Sequence, residues 1–329
     1  AQAAKAEGNL EAASNLMKTV LAQERDNLGY LLFDAYVKLD LGRSFQARES
    51  FAHALTLAPE HAETFLGLAA LHLKEGDCPA ALEQLASARP NVSNRHERRR
   101  LAALYAQCGQ FQAALVELKA LWVKPPTAVA DLQQLLDMAA AAQDWRYIRG
   151  LPLSALLDEA DPAVRTHAID TRAMALRHLG ESAEAYALYL QAPHDGNLLA
   201  RAQLAQALGH HGAAADLWAQ LVAQNPQQAD WRRSEAFALL KSGRFAMAEE
   251  RFRNLLTTET ATHEDRVQLA WLLNGQKRHH EAWAILAPLP QPHEELPVLE
   301  VQARTAFWAG EMAAAVPLIR ALLVRKEAG

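Results

Sequence analysis

Arginine is concentrated at two places where its side chain could contact a ligand. Four of the six residues 95–100 are arginines, and Arg232 and Arg233 occupy the equivalent place in a later segment. The planar guanidinium group carries a fork of N–H donors that binds a carboxylate through two hydrogen bonds. Arginine mixed with aromatic side chains is also typical of protein interfaces. The pattern indicates recognition of a partner, and a solvated, charged helix face is the alternative for each residue taken singly.

The sequence motifs of common enzyme sites are absent. The chain has no G-x-x-x-x-G-K-[ST], no G-x-G-x-x-G, no G-x-S-x-G, no H-E-x-x-H and no C-x-x-C. Two histidine pairs, His210-His211 and His279-His280, lie at predicted turns, where adjacent side chains diverge and rarely share a metal. We therefore predict a protein that is not an enzyme and that holds no cofactor or metal.

The composition narrows the classes of protein further. Half of the 329 residues are apolar, which is enough to bury a sizeable core. Two cysteines cannot hold a disulfide scaffold together, and no run of 18 apolar residues predicts a membrane-spanning helix. A net charge of -5 argues against a general nucleic-acid binder, which would carry a basic face.

Glycine recurs at nearly constant spacing and marks the elements that must position these residues. The marker glycines, each just before a new helical pattern, are Gly8, Gly42, Gly76, Gly109, Gly180, Gly209, Gly243 and Gly310. The first intervals are 34, 34 and 33 residues, and unmarked turns near Gln143 and Lys277 divide the two longest intervals into similar steps. A repeat of about 34 residues therefore runs through the whole chain.

Other residues recur at fixed distances from these turns. Five places after nine of the turns the residue is an alanine: Ala13, Ala47, Ala81, Ala114, Ala185, Ala214, Ala248, Ala282 and Ala315. Nine places after the same turns the residue is bulky and apolar: Met17, Phe51, Leu85, Leu118, Tyr189, Trp218, Phe252, Leu286 and Ile319. Seven places before eight of the later turns the residue is again an alanine: Ala35, Ala69, Ala102, Ala173, Ala202, Ala236, Ala270 and Ala303.

Each spacing has a physical reason. Glycine adopts the positive φ that ends a helix and turns the chain. Offsets of three, four and seven residues place side chains on one helical face, and alanine lets two helices approach closely. The repeat unit is therefore a hairpin of two antiparallel helices, which we place near 28–41 and 44–57 in one unit and near 62–75 and 78–89 in the next. Such hairpins bury their apolar faces by stacking.

The pattern resembles the tetratricopeptide repeat family. It is carried in one repeat by Phe65, Leu68, Ala69, Gly76, Ala81 and Ala88, and in the next by Leu101, Ala102, Tyr105, Gly109, Phe111, Ala114 and Pro126. The resemblance implies an all-α, right-handed superhelical solenoid of about nine to ten hairpins, forming a single array over residues 1–329. Residues 127–166 lose the glycine and alanine marks, so we expect a divergent repeat and a kink between two sub-arrays there. A pentatricopeptide-type RNA reader is the alternative, and the acidic balance disfavours it.

In this family the first helix of each hairpin lines a concave groove. Carried onto this sequence, the groove positions and the neighbouring arginine cluster predict partner-binding residues: Arg95, Arg99, Asp170, Arg177, Arg233, Phe237, Trp271, Arg304 and Phe307. The family's clamp for a terminal carboxylate needs lysine and asparagine at set positions, which we do not find. The resemblance thus implies a scaffold that binds a peptide or domain of a protein partner.

Cys78 and Cys108 are predicted at helix ends that meet in adjacent hairpins. They form a candidate disulfide if their Cα atoms lie within about 7 Å. The alternative is a pair of reduced thiols packed as small apolar side chains. A bridge would indicate an oxidising compartment such as the periplasm.

The layout of the chain suggests a cellular setting. It begins at Ala1, and both of its ends read as helix, so we expect a fragment of a longer cell-envelope protein. The array is similar in style to the periplasmic repeats of bacterial exopolysaccharide exporters, which recruit polysaccharide-modifying enzymes. That resemblance implies a periplasmic location, whereas a cytoplasmic assembly or chaperone adaptor and direct polysaccharide binding by the groove remain open alternatives.

Overall fold

The marker glycines turn the chain as their spacing predicts. We describe the protein from a computed structural model that covers residues 1–122, 124–126, 128–158 and 161–327. All eight glycines adopt a positive φ, between 73° and 82°. Gln143 and Lys277 also have positive φ, 54° and 62°, at the two turns that lack glycine. The predicted turn positions are therefore confirmed, including the two without a glycine.

The strained turns at Gln143 and Lys277 give a stability prediction. Because a side chain in the left-handed region costs about 1 kcal/mol, Gln143→Gly and Lys277→Gly are each expected to raise the free energy of unfolding by about that amount. Gly109→Ala is expected to lower it by about 1 kcal/mol, since a Cβ there meets nothing within 4 Å and only the backbone is strained. Urea denaturation measures all three.

Gly212→Ala is the matched control for these substitutions. Gly212 lies inside a helix, and a Cβ at this position would also meet nothing within 4 Å, so alanine is expected to be neutral or mildly stabilising there. A loss of stability on introducing glycine at residue 143 or 277 would contradict the turn assignment.

Twenty-one α-helices are present in the described ranges, together with a short 3-10 helix at Arg89–Asn91. In chain order they are α1 Gln2–Ala6, α2 Leu10–Gln23, α3 Leu28–Asp40, α4 Ser44–Leu57, α5 Ala62–Lys74, α6 Cys78–Ala88, α7 Arg95–Gln107, α8 Phe111–Lys119, α9 Val129–Ala141, α10 Trp145–Gly150, α11 Ser154–Leu157, α12 Pro162–His178, α13 Ser182–Gln191, α14 Asp195–Ala207, α15 His211–Gln224, α16 Ala229–Lys241, α17 Phe245–Leu256, α18 His263–Gly275, α19 His279–Leu286, α20 Leu296–Trp308 and α21 Met312–Glu327. The helices predicted near residues 28–57 and 62–89 are confirmed within one or two residues.

The helices pack as antiparallel hairpins in two compact units, residues 1–179 and residues 180–329. In the first unit the hairpins are α1/α2, α3/α4, α5/α6, α7/α8 and α9/α10, followed by α11 and α12. In the second unit they are α14/α15, α16/α17, α18/α19 and α20/α21, preceded by α13. Each second helix also contacts the first helix of the next hairpin within a unit, which builds a continuous core. The all-α helix-hairpin fold is therefore confirmed.

The core lies at the repeat positions that the sequence marked. The alanines five places after and seven places before the turns are fully or almost fully buried throughout. Among the bulky residues nine places after a turn, Phe51, Leu85 and Leu286 have no exposed surface, while Ile319 in the last hairpin is half-buried. Alanine at two fixed places allows close helix approach, and the bulky residue fills the space between hairpins.

Ion pairs join neighbouring hairpins on the side of the second helices. In three hairpins an arginine directly after the turn reaches a carboxylate on the second helix of the preceding hairpin. The pairs are Arg43 with Glu11 at 2.7 Å, Arg244 with Asp216 at 2.5 Å and Arg278 with Glu249 at 2.7 Å. The first two pairs are open to water and add little to stability, whereas Glu249 of the third pair is only 16% exposed.

The divergent segment 127–166 keeps its core although it loses the repeat marks. Leu132, Leu136 and Ile148 are buried, and they belong to the same cluster as Leu118 of α8. Trp145 stacks on His178 with ring centroids 4.3 Å apart and an interplanar angle of 2°. Thr127, Glu159 and Ala160, which fall in this segment, lie outside the described residues. The segment lies within the first unit, and a kink there stays a prediction.

Candidate partner-binding groove

Three cavities follow one another along the first helices of the second unit. A cavity of about 390 Å³ lies between α16 and the start of α18, with Arg233 and Phe237 in its wall. The next, of about 440 Å³, lies between α16, α18 and the start of α20, and shares Glu264 and Gln268 with the first. The third, of about 520 Å³, lies between the end of α18 and α20, and shares Trp271 with the second. Shared walls make them one continuous groove.

Aromatic side chains stand exposed in this groove. Trp271 keeps 58% of its surface accessible and lines two of the cavities, and Trp308, 47% exposed, lines the third. Phe237 is half-buried in the wall of the first cavity. Phe307, 51% exposed, lies beside Trp308 on α20 but is not part of the three cavity walls. Exposed indoles fixed on helices are the residues that most often anchor a bound partner.

Arg233 lies in the groove but is already engaged by this chain. Its Nε and Nη2 donate to the two carboxylate oxygens of Asp265 at 2.7 and 3.1 Å, and its Nη1 donates to Asp230 at 2.9 Å. Asp265 is 1% exposed. Burial alone would raise the pKa of Asp265, but hydrogen bonds from Arg233 and Thr262 outweigh it and hold that pKa below its usual value. Arg233 therefore clamps α16 to α18.

The arginine cluster of the first unit is also used within the chain. Arg98 binds the buried Glu117 at 2.7 Å, and Arg100 binds Glu63 and donates to the Tyr36 hydroxyl group at 2.9 Å. Arg99 binds Asp131 of α9 at 2.6 Å. Arg99 and Arg100 thus join neighbouring hairpins, whereas Arg98 joins the two helices of its own hairpin.

The remaining predicted residues of the first unit lie on α7 and α12. Arg95 is exposed, and its guanidinium group stands 5.6 Å from the centre of the Trp122 ring. On α12, Asp170 is half-buried and Arg177 is exposed near the C-terminal end. The predicted set is therefore divided between the two units, and its members in the second unit are the ones that line a described cavity or lie beside it. Partner binding by these residues stays a prediction.

Solved structures that match this chain include tetratricopeptide-repeat proteins. A structure of Naa15/Naa10 bound to HypK-THB is 13% identical, with 97% of this chain and 56% of that chain covered and a TM-score of 0.55. The C-terminal part of a TPR repeat-containing protein from Cytophaga hutchinsonii is 11% identical over 71% of this chain and 97% of that chain, with a TM-score of 0.47. The P58(IPK) TPR domain is 14% identical over 94% of this chain and 96% of that chain, with a TM-score of 0.31. The fold is that of tetratricopeptide-repeat proteins. No protein-family model and no curated protein sequence gives a match.

The repeat register explains which groove residues the sequence analysis missed. In a tetratricopeptide-repeat fold, equivalent positions of successive first helices face the same groove. Glu300 lies ten residues before Gly310, the place that Arg99 and Arg233 occupy before their own glycines. Glu264 and Glu295 lie in or beside the first turn of α18 and α20. Aligning every repeat for acidic as well as basic residues would have found Glu300.

Three further features of this tetratricopeptide-repeat fold concern metal binding, membrane-spanning helices and the histidine pairs. In the part of the chain that the structure describes, no group of three or more His, Cys, Asp or Glu side chains is placed to hold a metal ion. None of the helices in those same ranges has both the length and the apolar character needed to cross a bilayer. Of the histidine pairs, His279 is half-buried and contacts Asn274 at 3.0 Å and the Trp308 ring.

Cys78 and Cys108 lie together as the repeat register predicts. Both are free thiols, and Sγ of Cys108 is 3.9 Å from the carbonyl oxygen of Cys78. Burial raises the pKa of the Cys108 thiol to about 11, and the hydrogen bond and the charge of the neighbouring Cys78 act in the same direction. The proximity of the two helix ends is confirmed, and the disulfide itself stays a prediction.

Oxidation with diamide tests the disulfide. One intramolecular bridge is expected, seen as the loss of two hydrogen atoms in the intact mass and of both thiols under denaturing, non-reducing conditions. Because thiolate is the reactive form, the rate is expected to rise about tenfold per pH unit between pH 7 and 8. Cys78→Ser is the control, and persistence of both thiols in the oxidised wild type would rule the bridge out.

Proposed function

We propose that this chain is a non-catalytic scaffold that binds a protein partner in the groove formed by α16, α18 and α20. The observation that carries the proposal is the continuous groove with Trp271 and Trp308 exposed along it. Contiguous exposed apolar surface in a groove often marks a binding site. Tryptophans are also the side chains whose truncation most often weakens a complex.

The helices give the groove a fixed shape before any partner arrives. Arg233 clamps α16 to α18 at 2.7 Å, and Asn274 of α18 donates to Thr305 of α20 at 2.6 Å. A groove held in this way loses little conformational entropy on binding, so several modest contacts add up to useful affinity.

The similarity to Naa15 supports a scaffold role. Naa15 is seen together with Naa10 and HypK, so a related fold acts within a protein assembly. This chain spans 56% of that chain's length. Because the match covers only part of that chain, the identity of the assembly that this chain joins is a separate proposal.

For the setting we propose that the partner is a periplasmic polysaccharide-modifying enzyme recruited for exopolysaccharide export. The support is the style of the array, an Ala-, Leu-, Gln- and His-rich repeat region. A cytoplasmic assembly or chaperone adaptor would share the same groove. Capture from periplasmic and from cytoplasmic extracts of the source organism separates the two.

A groove variant tests the scaffold proposal. The purified chain captures a partner, which is identified by mass spectrometry and titrated calorimetrically against the wild type and Trp271→Ala/Trp308→Ala. Loss of an anchoring tryptophan typically costs about 2 kcal/mol, so binding is expected to weaken about 30-fold or more.

The matched control is Phe45→Ala, which removes an aromatic side chain that is 73% exposed on α4, outside the groove. It is expected to leave the affinity unchanged. Equal affinities for the wild type and the double tryptophan variant would place the partner elsewhere and refute the groove.

A further inference from the structure

Two carboxylates that no lysine or arginine of the described residues pairs with line the middle cavity of the groove. Glu264 lies in the first turn of α18, and Glu295 precedes α20 as its N-cap residue. In the described part of the chain, Glu264 accepts a hydrogen bond from Gln268 at 2.5 Å, and Glu295 contacts Nε2 of His263 at 3.1 Å. Neither carboxylate is paired with lysine or arginine there. Both line the same cavity of about 440 Å³.

The rest of that cavity has both apolar and charged walls. Trp271 of α18 and Pro297 and Val301 of α20 present apolar surface to it. Lys241 of α16 also lines it, and its ammonium group lies 5.2 Å from the centre of the Phe237 ring. Trp271 presents a large exposed indole to it. Apolar walls that end in carboxylates match a lysine or arginine side chain, whose aliphatic stem prefers apolar contact and whose head needs an anion.

The groove as a whole has an acidic surplus. The walls of the three cavities carry five carboxylates and three cationic groups: Asp230, Glu264, Asp265, Glu295 and Glu300 against Arg233, Lys241 and Arg304. Both arginines are already bound to carboxylates of the chain. The charge left for a partner is therefore negative, opposite to what the arginines suggest in the sequence.

An arginine of the chain shows how this groove holds a cation. Arg304 donates to Glu300 at 3.0 Å, and its guanidinium group stands 5.7 Å from the centre of the Trp308 ring. An indole face and a carboxylate together bind a cation more strongly than either alone. The middle cavity offers the same two groups in Trp271 and its pair of glutamates.

We infer that the cavity between α18 and α20 binds a lysine or arginine side chain of an apolar peptide segment, between Glu264, Glu295 and the Trp271 ring. The inference rests on the proposed function, since it names the chemistry of the partner segment that the groove takes. Pro297 and Val301, which are accessible in the cavity wall, hold the stem of the basic residue and an apolar neighbour. A basic side chain supplies a counter-charge for the two carboxylates, which a neutral polysaccharide does not, so the charge of the cavity favours a basic peptide.

Peptide selection tests the inference without assuming a partner. The intact chain selects from a displayed library of random peptides, and the best peptide is synthesised with a fluorescent label and titrated by anisotropy. Selected peptides are expected to be enriched in lysine or arginine beside an apolar residue. Affinity is expected to fall about tenfold or more with Glu264→Gln/Glu295→Gln, and also when sodium chloride is raised.

Glu60→Gln/Glu83→Gln is the matched control, because it removes the same charge from exposed residues of the first unit. It is expected to bind like the wild type, and circular dichroism confirms that both double variants melt like the wild type. Acidic or uncharged selected peptides, or equal affinity for the groove double variant, would overturn the inference. The proposed function would survive that result if Trp271→Ala/Trp308→Ala still weakened binding.

Two other outcomes are distinguishable. If chitosan oligomers bind with the same sensitivity to Glu264→Gln/Glu295→Gln and no basic peptide does, the cationic ligand is a polysaccharide and the peptide inference fails. If neither a peptide nor a protein partner binds the groove, the proposed function fails as well.

Discussion

Asp265→Ala is expected to lower the free energy of unfolding of the second unit by about 3 kcal/mol. The Asp265 carboxylate is 1% exposed, binds Arg233 through both oxygens and accepts the backbone N–H of Thr262 at 2.9 Å. Its loss removes half of the capping box of α18 and leaves Arg233 with the exposed Asp230 as its remaining carboxylate. Urea denaturation and hydrogen exchange of the α18 amides measure the loss.

The equivalent clamp in the first unit is the matched comparison. Arg99 binds Asp131 across the same repeat step, but their side chains are 44% and 26% exposed. Because water screens this pair, Asp131→Ala is expected to cost about 1 kcal/mol or less. Equal losses at the two positions would show that burial does not set the strength of this contact.

The pH dependence of the Asp265→Ala effect provides a second check. The pKa of Asp265 is lowered in the folded chain, so this carboxylate contributes stability above its unfolded pKa, and the contribution is lost as pH falls through the folded pKa. The difference in unfolding free energy between the wild type and Asp265→Ala is therefore expected to shrink on acidification below about pH 4. A difference that grew in acid would contradict the assignment.

These expectations separate a structural arginine from a ligand-binding one. If Arg233 mainly holds α16 against α18, Arg233→Ala reduces stability and weakens partner binding only as far as the groove loosens. If Arg233 mainly contacts the partner, the same variant binds poorly and keeps its stability. The contacts at 2.7 and 3.1 Å to a buried carboxylate favour the first outcome.

The sequence was sufficient for the hairpins because their determinants are local. A helix turn needs a residue with positive φ, and a helix crossing needs a small side chain, so Gly and Ala recur wherever the geometry recurs. The repeat step even located the turns at Gln143 and Lys277, where the residue type gave no signal. Stacking then follows from the apolar face of each hairpin.

The groove chemistry was harder to predict because charge pairing crosses repeats. Arg99 and Arg233 each bind an aspartate 32 residues further along the chain. On its own helix Arg99 has no carboxylate three or four residues away and Arg233 has only the exposed Asp230, whereas the stacked helices place the second aspartate beside each arginine. Pairing residues across one repeat step would have assigned both arginines as clamps. The exposed Trp271 needed no such step, since it falls on a groove position by register alone.

Phe51→Ala is expected to lower the free energy of unfolding of the first unit by about 3–5 kcal/mol. Phe51 has no exposed surface and packs edge-on against Tyr36, with ring centroids 5.3 Å apart and an interplanar angle of 78°. It occupies the bulky repeat position between α4 and the next hairpin, so its loss leaves a cavity that the rigid helices cannot fill. Urea denaturation measures the loss, and Phe51→Leu, which keeps most of the volume, is expected to cost clearly less.

The contact between Phe51 and Gly67 gives a second test of this packing, because the Phe51 ring fits against α5 only where residue 67 has no side chain. A Cβ at Gly67 would overlap the Phe51 ring and approach the Tyr36 hydroxyl oxygen to 2.9 Å. In the wild type, Gly67→Ala is therefore expected to cost about 1–3 kcal/mol despite the better helix propensity of alanine. In the Phe51→Ala background the overlap with the ring is gone and the close approach to the Tyr36 hydroxyl group remains, so the same change is expected to cost at least about 1 kcal/mol less than in the wild type. A smaller loss in this background would establish that the two positions are coupled by packing. Equal effects of Gly67→Ala in both backgrounds would show that helix propensity, not the close approach of α4 and α5, determines the residue at position 67.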